Sequence, residues 1–263
     1  MIKGHSGCSI NIKDGLLAKS TKDTDYPKDR LVAQIEKQKL FYEIISDKQL
    51  LVPRVVKEDF SGGYSVYMQY FRCSNIVQYL HRAGKSDLDA LVKSLCDLVD
   101  FCINKCELVT VDKHLLINKF RSIQTPSGMT EKFESYLDDE ITIPIGICHG
   151  DLTLSNVLIK PESNNFVIID FLDSFIESPI VDIAKIRQDT KHGWSSFIYP
   201  EQHDKIKTTL SLEYLDNKFV EHFKKYEFYK HYELFQFMNL VRILPYSKQT
   251  KTSNFLMEQI CSL

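Results

Sequence analysis

Two carboxylates and an amide, Asp151, Asp170 and Asn156, have the spacing in this chain that points most directly to chemistry. Asp151 and Asn156 lie just before the apolar run Val157-Leu158-Ile159, and Asp170 closes the run Phe166-Val167-Ile168-Ile169. Between the runs, Lys160-Pro161-Glu162-Ser163-Asn164-Asn165 is polar and rich in turn formers. The pattern predicts two buried strands joined by a turn, so the three side chains meet at one end of a hairpin. Unpaired carboxylate and amide groups are costly to hold together in a dry core. A divalent cation with phosphate accounts for them, because Mg²⁺ takes a few such oxygen ligands together with substrate phosphates.

The fuller pattern is His149-Gly150-Asp151, then Asn156, an apolar strand and a strand-terminal Asp170. This H-x-D-x-x-x-x-N arrangement resembles the catalytic core of the protein-kinase-like superfamily. The form His-Gly-Asp, with Asp170-Phe171 not followed by Gly, resembles the aminoglycoside phosphotransferase and choline kinase branch. The resemblance implies that Asp151 is the base and that Asn156 and Asp170 are Mg²⁺ ligands. It gives His149 a structural role, bracing the loop. Downstream, Ser178-Pro179-Ile180-Val181-Asp182-Ile183-Ala184 is similar to the family's P-x-x-D-[LI]-A, in which the Asp ties the catalytic loop in place; here that residue is Asp182.

The elements that must position these groups begin at the N-terminus. Ser9–Lys13 alternates apolar and polar residues, Asp14-Gly15 follows, and Leu16-Leu17-Ala18-Lys19 comes next. Asp-Gly between two such runs predicts a two-residue hairpin, since Gly tolerates positive φ. Upstream, Gly4-His5-Ser6-Gly7 offers backbone N–H groups that can cover phosphates. By resemblance, Gly4, Ser6 and Gly7 form the nucleotide loop and Lys19 is the phosphate-binding lysine. Residues 31–45 have helical periodicity, and the family places on this helix a glutamate that pairs with the strand lysine. Of Glu36 and Glu43, the position nearer the helix start favours Glu36. Val55–Lys57 and Tyr64–Met68 predict two strands around Ser61-Gly62-Gly63. The residues that follow resemble the hinge between the lobes, with Met68 facing the pocket and the backbone of Gln69 and Phe71 meeting the nucleotide base.

From Ser74 the pattern turns helical, with a capped segment to Leu80 and a longer helix opened by Ser86-Asp87. Short helices are expected near 114–123 and 130–137. Asp182 follows Asp170 by only twelve residues. The long activation segment of protein kinases does not fit in that gap, which favours a small-molecule acceptor over a peptide. The region after 201 is rich in aromatics at helical spacing and nearly balanced in charge, so it lends no support to a strongly cationic acceptor. Trp194 has acceptor contact and packing as its two readings.

The chain has 263 residues, a formal net charge of −2 and 26% charged residues. These values point to no nucleic-acid surface. No apolar run approaches the ~20 residues of a membrane span. The opening residues lack a signal-peptide core, so the chain is expected in the cytoplasm. Seven cysteines in no framework pattern read as packed thiols rather than disulfides or zinc ligands.

The expected fold is α+β and two-lobed: a small antiparallel β-rich lobe over 1–70 and a larger helical lobe over 71–263. The expected function is transfer of the γ-phosphoryl group of ATP, with GTP as the alternative, to a hydroxyl of a sugar, aminoglycoside-like compound or amino alcohol, with Mg²⁺. The competing readings are a catalytically silent nucleotide-binding regulator and, ranked below it, a protein kinase.

Overall fold

The computed structural model describes residues 2–3, 8–21, 25–45, 49–161, 163, 165–198, 204–247 and 249–263. In chain order the elements are β1 (Ile2–Lys3), β2 (Ser9–Lys13), β3 (Leu16–Thr21), α1 (Asp25–Ile44), β4 (Leu50–Leu51), β5 (Val55–Asp59) and β6 (Tyr64–Gln69). Next come α2 (Ile76–Leu80), α3 (Lys85–Asn104), β7 (Glu107–Thr110), α4 (Lys113–Arg121), α5 (Met129–Ser135), β8 (Thr142–Ile145), β9 (Val157–Lys160) and β10 (Asn165–Ile168). Helices α6 (Pro179–Thr190), α7 (Trp194–Ile198), α8 (Lys205–Phe223), α9 (Tyr232–Val241) and α10 (Thr250–Ser262) complete the chain. The fold is α+β, with strands dominating the N-terminal part and helices the rest.

The N-terminal sheet is antiparallel throughout, in the order β1-β2-β3-β6-β5. Its first hairpin turns on Asp14 and Gly15, both at positive φ (53° and 74°). That is the geometry a two-residue turn needs to match strand twist. Helix α1 packs on this sheet through Leu31 and Ile35, which share a small core with Cys8, Tyr64, Val66 and Met68. β9 and β10 form the expected second hairpin, pairing Val157 with Ile168 through Lys160 with Asn165. Two pairings were not visible in the sequence. The two-residue β4 runs parallel to β10, and β7 pairs with β8. Both are too short to leave a periodic signal.

Helix α6 organises the larger core. Of its twelve residues only Lys185 is not buried. A helix buried on every side is ordinarily apolar, yet this one carries Asp182, Arg187, Gln188 and Asp189. Each therefore needs a partner inside the protein. Arg187 finds Asp216 through two bonds of 2.9 and 2.8 Å, and Gln188 accepts from Asn239 at 2.8 Å. The two aspartates turn toward the segment that follows β8. Among the described residues no helix is long and apolar enough to cross a membrane.

Candidate active site

Residues 148–156 have almost no regular secondary structure of their own, with a single short 3₁₀ turn at Leu154–Asn156. One face of α6 holds them. Asp182, Lys185 and Asp189, at positions i, i+3 and i+7, line that face. Asp182 accepts from the backbone N–H of His149 at 2.6 Å and of Gly150 at 2.8 Å. Asp189 accepts from the N–H of Leu154 at 2.6 Å and of Ser195 at 2.6 Å. Between the two clamps, Lys185 Nζ lies 2.9 Å from Asp151 Oδ1. Burial pushes the Asp182 carboxyl up to about 7 and that of Asp189 up to about 6, against the pull of the N–H groups that favour ionisation.

His149 completes the bracing. Its ring is fully buried, and burial draws its pKa down to about 4, so the imidazole is neutral at physiological pH. The Asp151 N–H donates to Nδ1 at 3.2 Å, so Nε2 carries the proton and donates to the Ile169 carbonyl at 3.1 Å. The ring thus joins the loop to the residue before Asp170. Gly150 sits at φ 85°, and a Cβ there would lie 1.9 Å from the Leu172 carbonyl oxygen. Only glycine lets the loop approach the Asp170 segment this closely.

The loop presents the Asp151 carboxylate with a side-chain exposure of 23%. Asn156 Nδ2 donates to its Oδ2 at 3.0 Å and to its backbone carbonyl at 2.8 Å. Burial raises the carboxyl pKa, but Lys185, His149 and the Asn156 bond outweigh it and hold the group below its ordinary value. Asp151 is therefore ionised at neutral pH. Because Asn156 uses its amide nitrogen on Asp151, its Oδ1 remains for another ligand. Asp170 has a half-exposed side chain and a positive φ of 60°, a conformation that Asp adopts more readily than most residues. One of its oxygens accepts from Lys19 Nζ at 2.9 Å.

Lys19 and Asp170 are the charged groups lining a cleft of about 700 Å³, counting its open mouth. Ile10, Leu17 and Met68 wall it on one side and Leu158, Val167 and Ile169 on the other, with Gln69, Tyr70 and Phe71 at the edge. Apolar walls with a few polar groups at one end suit a flat aromatic ring attached to a charged tail. Among the described residues no three His, Cys, Asp or Glu side chains gather as a metal cage. Mg²⁺ needs none, since one carboxylate and one amide oxygen beside phosphates suffice. Asn156 Oδ1 and the free oxygen of Asp170 fit that donor set.

The Glu36 expectation is corrected. Lys19 Nζ meets Gln34 Oε1 at 3.3 Å, not a glutamate. Glu36 is exposed and pairs with Lys39 at 2.7 Å. The reason is helical phase: Leu31, Gln34, Ile35, Gln38 and Phe41 form the buried face of α1, and Glu36 points away from it. From the same helix, Lys37 donates to the Leu172 carbonyl at 2.7 Å and to Glu177 at 2.6 Å, tying α1 to the segment after Asp170. Gly4, Ser6 and Gly7 lie outside the described residues. Trp194 packs beside Phe255 and Phe197, with ring centroids 6.2 and 6.3 Å away. The seven cysteines are all free.

A solved GDP complex of aminoglycoside 2'-phosphotransferase-IIIa superposes on 100% of this chain and 90% of its own, at TM-score 0.62 and 14% identity. A thermostable mutant of the aminoglycoside phosphotransferase APH(4)-Ia, bound to AMP-PNP and hygromycin B, superposes on 98% of this chain and 92% of its own, at TM-score 0.60 and 12% identity. The fold is that of the aminoglycoside phosphotransferases. Residues 107–205, which span the Asp151 loop and α6, match the phosphotransferase enzyme family. The EKC/KEOPS complex subunit bud32 of Dictyostelium discoideum is 28% identical over 138 residues, 49% of this chain and 54% of that protein. The matched stretch thus spans about half the length of that relative.

Proposed function

We propose that this chain is a nucleotide-dependent kinase that phosphorylates a hydroxyl group of a small molecule. What carries the proposal is an apolar cleft lined by Lys19 and Asp170, joined through the His149–Ile169 bond to the loop of Asp151 and Asn156 that α6 clamps at both ends. Phosphoryl transfer asks the protein for alignment and charge neutralisation rather than covalent chemistry. ATP is the proposed nucleotide, its base between the apolar walls and its edge at the backbone of Gln69 and Phe71. Lys19 would hold the phosphates, and Asn156 and Asp170 a Mg²⁺ ion. Such an ion would supply positive charge to offset the negative charge that develops on the phosphates during transfer. Asp151 orients the acceptor hydroxyl and takes its proton as the oxygen bonds to the γ-phosphorus and the bond to ADP breaks. We take residues 1–70 as the nucleotide lobe and 71–263 as the lobe that holds the acceptor.

The short path from Asp170 to Asp182 supports a small acceptor. Glu177 fills that path, accepting from Lys37 and from the Ser174 N–H at 2.7 Å. The likeness to a subunit of a multiprotein complex keeps a silent regulator as the competing reading. Asp151→Asn separates the two, since it preserves shape and removes charge and basicity. Turnover should fall by roughly 10²–10⁴-fold in kcat and kcat/KM together, with Mg²⁺–nucleotide affinity in calorimetry unchanged. Equal turnover in both proteins sinks the assignment of the base. Nucleotide binding without phosphorylation of any sugar, amino alcohol or hydroxy acid favours the regulator.

A further inference from the structure

The segment from Ile169 to Ser178, which carries Asp170, contains no strand or helix. Contacts from elsewhere must therefore hold its shape. Helix α1 supplies a central one. Lys37 Nζ donates to the Leu172 carbonyl at 2.7 Å and to Glu177 Oε2 at 2.6 Å. The other Glu177 carboxylate oxygen accepts from the Ser174 N–H at 2.7 Å, and the Glu177 carbonyl accepts from the Gly146 N–H at 2.8 Å. One ammonium thus grips the segment two and seven residues beyond Asp170. A Cβ at Gly150 would lie 3.3 Å from the same Nζ, so Lys37 stands where the Asp170 segment crosses the Asp151 loop. One turn on along α1, Phe41 adds a ring contact with Phe171, centroids 4.9 Å apart.

A helix lysine ordinarily runs its ammonium out to water. The Lys37 side chain is only 9% exposed, and burying an ammonium is costly even when it is paired. Packing alone would accept an apolar residue there. It does not account for a charge spent on a backbone carbonyl two residues from Asp170. On the same helix, the neutral Gln34 faces Lys19 at 3.3 Å. The charged link from α1 to the site is therefore made about one turn further on, and it reaches the Asp170 side of the cleft instead of Lys19.

We propose that Lys37 and Glu177 are positioning residues: they lock α1 to the Asp170 segment and hold the Asp170 carboxylate in the orientation that binds Mg²⁺ with a nucleotide. This rests on the nucleotide and Mg²⁺ sites of the proposed function, not on phosphoryl transfer. Charge alone predicts the opposite of positioning. Lys37→Met leaves Glu177 unpaired and adds one net negative charge near the ion, which by Coulomb attraction would tighten Mg²⁺. Loss of a positioning contact loosens it.

The test is calorimetry of AMP-PNP binding to the full chain, with Mg²⁺ and with EDTA. Mg²⁺ should tighten binding in the wild type. Lys37→Met should lose about 10- to 100-fold of that gain, or all of it where the gain is smaller. Its affinity in EDTA should be unchanged, because Lys19 and the cleft walls remain. Lys37→Met combined with Glu177→Gln restores the net charge and leaves no unpaired carboxylate, which covers the case of a single variant that does not fold. It should lose the gain as well. Lys39→Met, on the same helix but paired with Glu36 and Glu58, should keep it. A gain preserved or enlarged in Lys37→Met, or preserved in the double variant, overturns the inference. So does an equal loss of affinity with and without Mg²⁺, which marks a role in folding alone. ADP release with sugars and amino alcohols reports on transfer separately. A gain lost in Lys37→Met, with no acceptor phosphorylated by the wild type, would end the kinase reading and leave the positioning role. Acceptor-dependent ADP release by the wild type, with the gain kept in Lys37→Met, would do the reverse. No gain from Mg²⁺ in the wild type would end both.

Discussion

Replacing Lys185 with Gln isolates what α6 does for the proposed base. The Lys185–Asp151 pair is 2.9 Å apart, with side-chain exposures of 14% and 23%. Two unit charges at that distance attract by roughly 1.4 kcal/mol in bulk water and by about 6 kcal/mol at an effective dielectric of 20. The site lies between these limits, and each 1.36 kcal/mol moves a titration by about one pH unit. A charge partner this close typically moves a carboxylate by about 1–3 pH units. Burial alone pushes Asp151 up, and Lys185 is the largest of the effects that reverse it. Its removal leaves burial less opposed, so the carboxylate protonates at a higher pH. A base works only when ionised. The wild-type kcat/KM should therefore stay level down to pH 5, while Lys185→Gln should show an acid limb about 1–3 pH units higher. At pH 8 the variant should approach wild-type turnover. Lys185→Arg keeps a cation there and should keep the wild-type limb. A limb in Lys185→Gln that superposes on the wild type refutes the tuning role. A drop in kcat of the same size at every pH would assign Lys185 to the phosphoryl group instead.

Two further perturbations test the loop. Gly150→Ala puts a Cβ 1.9 Å from the Leu172 carbonyl at φ 85°; it should cost at least ~2 kcal/mol, since left-handed backbone alone costs ~1–2 kcal/mol, and an unchanged Tm would refute the tight approach. Asp182→Asn turns one acceptor into a donor facing buried N–H groups and should cost about 1–3 kcal/mol at pH 5. The Asp182 pKa is raised in the folded state to about 7 by burial. The proton it holds there stabilises the fold fully below the unfolded value near 4, and that stabilisation is lost as pH rises through about 7. Asn has nothing to lose over that window, so its deficit in urea melts should be smaller at pH 8 than at pH 5. A deficit that grows with pH would show that Asp182 does not titrate this way.

Local signals carried much of the fold into the sequence. The Asp14-Gly15 hairpin and the β9–β10 hairpin were legible because a turn residue and strand periodicity act over a few residues. Asp151, Asn156 and Asp170 were legible because the turn between β9 and β10 fixes their separation. The resemblance asks for a glutamate beside Lys19, and Glu36 does not meet it because of its helical phase. The face defined by Leu31, Ile35 and Phe41 admits Gln34 and excludes Glu36, and that face could be read from the periodicity. Lys185 and Asp189 were missed although they share a helix face with Asp182. The i, i+3, i+7 spacing was present, but nothing local says that the helix is buried on all sides.

The chemistry of α6 explains why the loop needs so little structure of its own. Ionised groups in a core are expensive, and apolar residues of similar volume would often be more stable there. In this helix the polar groups do what leucines cannot. Asp182 and Asp189 satisfy four backbone N–H groups, three of them in the loop, which has no strand or helix to satisfy them. The loop in turn supplies the donors without which those carboxylates would be orphaned. The position of Asp151 is therefore set by the central helix of the larger core, through Asp182 and Asp189 on its backbone neighbours and Lys185 on its carboxylate.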